Sequence, residues 1–68
     1  MEIVVMNAPE EILHRNCILG TIIQATKKQA TWENVNTKGA LIAQIPNGTD
    51  EDVRRLEERG LEVARIPF

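Results

Sequence analysis

One antiparallel sheet of four strands with two helices on a single face, an α+β fold, is what this sequence predicts. Three observations carry it. The last third, Gly39 to Phe68, reads as strand, capped helix and strand. The first third opens on a β-branched run followed by a proline and two glutamates, which reads as strand then helix. Between them, two extended segments flank Asn36-Thr37-Lys38-Gly39, which reads as a hairpin. The order is β-α-β-β-α-β.

Each element has a local cause. Glu2-Ile3-Val4-Val5-Met6 is apolar at both parities, the pattern of a central strand covered on both sides. Asn7-Ala8-Pro9 stops it, and Pro9 is placed at the first position of a helix whose first turn holds Glu10 and Glu11. From Ile12 to Ala30 a helix is preferred, with Ile12, Leu19, Ile22, Ile23 and Thr26 sharing one face and a restart near Cys17. The alternative is a short helix to Asn16 and a strand from Ile18 to Ala25. Many residues there are β-branched, and Gly20 weakens a helix by about 1 kcal/mol. Thr31–Val35 and Ala40–Ile45 are strands, joined by a type I turn with a left-handed glycine bulge at Gly39. Pro46-Asn47-Gly48 ends the second of them. Thr49 and Asp52 then form a capping box, with Asp in place of the usual Glu or Gln. Val53 and Leu56 give the helix its apolar stripe, and Gly60 falls where a left-handed C-terminal cap belongs. In the closing segment, Leu61 to Phe68, residues Leu61, Val63 and Ile66 fill space. With right-handed crossovers this order is the split βαβ, or ferredoxin-like, arrangement.

Sixty-eight residues make one domain, residues 1–68, with a small core. Domains of this size commonly gain stability from disulfides, a metal or a partner. Cys17 is the only cysteine and His14 the only histidine, so a disulfide within the chain is excluded and neither a metal nor another cofactor is expected. Oligomerisation is the remaining remedy. The sheet would have one bare face, and the apolar residues at both parities of its first and third strands suit a homodimer closed across it. The chain carries eight Lys and Arg against ten Asp and Glu, a formal net charge of −2, so no basic nucleic-acid face is expected. Lys27, Lys28 and Lys38 read as solvated lysines. No apolar run approaches the ~20 residues of a membrane span. The start has no basic region of a secretory signal, and a single unpaired cysteine suits a reducing compartment, so a cytoplasmic location is expected.

Candidate chemistry is sparse. His14 and Cys17 stand three apart, neighbours on a helix, but a nucleophilic pair also needs an orienting group and an oxyanion donor. They read as a half-exposed histidine and a small buried hydrophobe. Asn47-Gly48-Thr49 lacks the glycines and lysine of a phosphate cradle and reads as a turn. Trp32, without other aromatic or basic residues around it, reads as core or interface rather than a stacking platform. The arginines and glutamates of residues 54–59 read as a solvated face, with Glu51 and Arg55 at pairing distance. The better place for a ligand is the connection from Asn7, Ala8, Pro9 and Glu10 to His14, where helix amides would suit an anionic group such as an amino-acid carboxylate.

Gly39-Ala40-Leu41-Ile42-Ala43-Gln44-Ile45, the short acidic helix and Leu56-Glu57-Glu58-Arg59-Gly60-Leu61-Glu62-Val63 together resemble the end of a regulatory ACT domain, and more closely its NIL relative on methionine transporters. The resemblance implies a non-enzymatic dimer that binds a small molecule or a protein partner at subunit edges. Where ACT domains often carry Asp-x-Pro-Gly, this chain has Asn7-Ala8-Pro9-Glu10. A fainter likeness, in the strand-Asn-Ala start and the strand-helix-strand end, is to small viral ring nucleases that cut cyclic oligoadenylate. It implies the alternative of a nucleotide-directed enzyme using His14 with Lys27 or Lys28 at a dimer interface. A third possibility is an inhibitor that acts by covering another protein.

Overall fold

A computed structural model describes residues 1–35 and 41–67. Its elements are β1 (Glu2–Asn7), a 3-10 turn (Glu10–Ile12), α1 (Arg15–Thr26), β2 (Thr31–Val35), β3 (Leu41–Ile45), α2 (Asp50–Glu58) and β4 (Glu62–Ile66). The expected turn at Asn36–Gly39 lies outside the described residues, as do Ala40 and Phe68. The four strands form one sheet in the order β2-β3-β1-β4, with every neighbouring pair antiparallel. β2 therefore runs parallel to β1 with β3 inserted between them, and β4 parallel to β3 with β1 inserted. This is the ferredoxin-like βαββαβ topology.

Strand register sorts the side chains onto two faces, because residues directly opposite one another in a ladder share a face. One rung runs Trp32, Ala43, Val5, Val63; the next runs Ile45, Ile3, Arg65. Ile3, Val5, Ala43 and Ile45 on this face are fully buried beneath Ile18 and Ile22 of α1 and Val53 and Leu56 of α2. Burying side chains of this size stabilises by about 1.5–3 kcal/mol each, so these two layers contain the main folding energy of the domain. Both helices lie on this side. β1 is central as expected, but it is covered on one side only. Val4 is half-buried and Met6 is 44% exposed, because the even-numbered residues of β1 point away from the single helical layer.

α1 is a helix, not a strand, although its boundaries and its buried face differ from the expectation. Pro9 is not the first helical residue. It precedes the 3-10 turn with extended backbone, φ −57° and ψ 148°, and α1 proper starts after His14. Ile12 thus belongs to a separate turn. The buried arc becomes Ile18, Ile22, Ala25 and Thr26, at the spacing of one helical face, while Leu19 is half-buried and Ile23 is 46% exposed. Thr26 is tolerated inside because its hydroxyl donates to the Ile22 carbonyl at 2.7 Å. The helix ends on Lys27 in the left-handed region, φ 61°.

α2 follows its sequence signals residue by residue. Thr49 Oγ1 accepts the Asp52 amide at 3.2 Å, and Asp52 Oδ2 accepts the Thr49 amide at 3.1 Å, which completes the capping box. At the other end the Leu61 amide donates to the Leu56 carbonyl at 3.2 Å and the Gly60 amide to Glu57 at 2.9 Å. That pair is a Schellman motif, with Gly60 at φ 86° and the apolar contact supplied by buried Leu56 and Leu61.

Candidate functional site

The connection from Asn7 to His14 is held by local bonds. Asn7 ends β1 opposite Glu62, just past a register shift in the β1–β4 ladder. Its side-chain oxygen accepts the Ala8 amide at 2.9 Å. Ala8 packs on the core, half-buried. Pro9 leans on Gly60, where an added Cβ would stand 2.8 Å from the proline Cγ, so this connection is docked against the end of α2. The Pro9 and Glu10 carbonyls accept the Ile12 and Leu13 amides at 3.0 and 3.2 Å. Glu10 and Glu11 are exposed and place two carboxylates at the start of the 3-10 turn. His14 occupies the cap position of α1 without a side-chain cap bond, and no acidic residue stands in the first turn of that helix. Asn7, Ala8, Pro9 and Glu10 thus lie in the connection itself and His14 at its far end, beyond the 3-10 turn. The connection offers carboxylates at one step and an uncapped helix start at the next.

His14 and Cys17 both face solvent at the start of α1. Cys17 is thus not the buried hydrophobe that its residue type suggested, because the core side of that turn is taken by Ile18. Among the described residues, no group of three or more His, Cys, Asp or Glu lies close enough to hold a metal ion.

A polar cluster that no local sequence pattern announces as a whole joins Lys28, Asp52, Thr49 and the Asn47 carbonyl. Lys28, read from the sequence as solvated, reaches across from the end of α1 to pair with Asp52 and to donate to the Asn47 carbonyl at 2.9 Å. Asp52 is buried, with a side chain 7% exposed, against 33% for Lys28. Burial by itself pushes the Asp52 carboxyl up. The Lys28 ammonium and the Thr49 amide and hydroxyl outweigh that and hold it below its ordinary value. Twenty-four positions separate the pair, and no local pattern announces it. Beside it, the Met1 carbonyl accepts the Gly48 amide, and a Cβ on Gly48 would overlap the buried Ile3 side chain. An open cleft of about 270 Å³ lies here, lined by Met1, Glu2, Pro46 and Asn47. The cluster ties α1, the β3–α2 loop and the start of α2 together, which is a scaffold's task. At the edge of the sheet Arg65 donates to Asp50 at 3.0 Å, and on α2 the anticipated Glu51–Arg55 pair stands at 3.2 Å.

The remaining surface feature is the sheet face opposite the helices. Its central rung reads Thr31, Gln44, Val4, Ala64, and a second pairs Glu2 with Ile66. Met6, two positions from Val4, belongs to the same side. The face is mixed: β2 and β3 present Thr31 and Gln44, while β1 and β4 present Val4, Met6, Ala64 and Ile66 together with the Glu2 carboxylate opposite Ile66. Ile66 does not fill the core as expected but is 37% exposed here, because its partner Glu2 lies on the open side. Trp32 lies on the other side, half-buried against Ala43 and the core, in keeping with a packing role. No helix among the described residues is long and apolar enough to cross a membrane.

No family model, curated protein or solved structure matches this chain.

Proposed function

We propose that this protein is a small non-enzymatic regulatory or interaction module that works as a homodimer closed across the open face of its sheet. The observation that supports this reading is the cluster of apolar side chains on that face, Val4, Met6, Ala64 and Ile66, on the side opposite both helices of the described residues. Met6 and Ile66 retain 44% and 37% exposure. Covering that remainder is worth about 1 kcal/mol for each side chain, so these two residues supply about 4 kcal/mol across two copies. This only offsets the low end of the association cost, about 4 kcal/mol, so the half-buried Val4 and Ala64 must add to it, and the dimer is weak and concentration-dependent rather than obligate. Its partner in each pairing is an identical patch, as two-fold symmetry requires.

Sedimentation equilibrium tests the reading. The wild-type chain is expected to associate only as its concentration is raised toward the millimolar range. Met6→Glu places a carboxylate on each side of an apolar seam and is expected to raise the dissociation constant by at least about a hundredfold, the cost of an unpaired charge in such a place. Retained ellipticity in that variant separates lost pairing from lost fold. A wild-type chain that is monomeric throughout would overturn the proposal.

A second reading concerns the ligand of a regulatory module. The uncapped start of α1 at His14, close in sequence to the Glu10 carboxylate, suits a zwitterion such as an amino acid, whose carboxylate takes the helix amides. The resemblance of the C-terminal half to ACT and NIL domains points the same way. A thermal-shift screen with amino acids and nucleotides tests it. A rise in melting temperature with an amino acid, lost in His14→Pro but kept in Glu33→Gln, supports a site there. No shift with any amino acid removes it.

A further inference from the structure

We draw no further inference here: the strongest candidate, the outward face of α1 around Gly20, uncharged from Asn16 to Gln24 and carrying the exposed Ile23, carries nothing because nothing in the structure shows what covers it.

Discussion

Replacing Lys28 with methionine tests whether the buried polar cluster holds the two helices together. The substitution keeps most of the side-chain length but removes the ion pair to Asp52 and the bond to the Asn47 carbonyl. Asp52 stays buried and keeps the Thr49 amide, so its charge is left partly compensated. Breaking a fully buried pair from one side costs about 3–5 kcal/mol. Lys28 is a third exposed, and water screens that end of the pair, so we expect about 1–2 kcal/mol here. For a domain of this length, that lowers the melting temperature by about 5–15 °C, measured at one protein concentration because dimerisation also moves it. The pH dependence carries a sign. Folding lowers the Asp52 pKa, so the stability it supplies is complete above the unfolded value of about 3.9 and is lost as pH falls through the folded value. The gap between wild type and Lys28→Met is therefore largest near neutral pH and closes in acid. A double-mutant cycle with Asp52→Asn separates the ion pair from the Asn47 contact. Melting within about 2 °C of wild type at neutral pH, or a gap that persists undiminished near pH 2, would refute the reasoning.

Further substitutions probe the scaffold. Gly20→Ala is expected to stabilise by up to about 1 kcal/mol, because a Cβ there meets nothing within 4 Å and alanine recovers helix propensity; chemical denaturation reads the change directly. Gly48→Ala is expected to destabilise by about 1–3 kcal/mol in the same assay, since its methyl runs into the Ile3 side chain in the fully buried core; a neutral result would mean that the β3–α2 loop yields easily.

The sequence was most legible where structure is decided locally. In α2 both ends could be read from single residues, Thr49 with Asp52 and Gly60 with Leu61, because caps act over a few positions. Strand order followed from counting elements, since right-handed crossovers leave few topologies. α1 was harder. Its run of isoleucines and threonines suits strand and helix alike, and tertiary burial of Ile18, Ile22 and Ala25 against β1 and β3 decides in favour of the helix. Its buried face differs from the one the sequence suggests because Ile12 belongs to the 3-10 turn, and the chain breaks at His14 and resets the phase. Lys28–Asp52 and Pro9–Gly60 were illegible because each joins distant stretches of chain. The Asn7–His14 connection itself was legible as the link between the first strand and the first helix from its strand-Pro-Glu-Glu sequence. The apolar cluster on the open face emerged only once register paired Val4 with Ala64 and Glu2 with Ile66.

Concentration-dependent NMR of the side-chain methyl groups tests the dimer most directly, because it reports which face meets the second copy. On raising the concentration, the methyl signals of Val4, Met6, Ala64 and Ile66 are expected to shift together along one binding curve, while those of Ile3, Ile18 and Ile22 in the core stay in place. Shifts confined to Ile23 and Leu19 on α1, or no shift up to millimolar concentration, would contradict a pairing across the sheet.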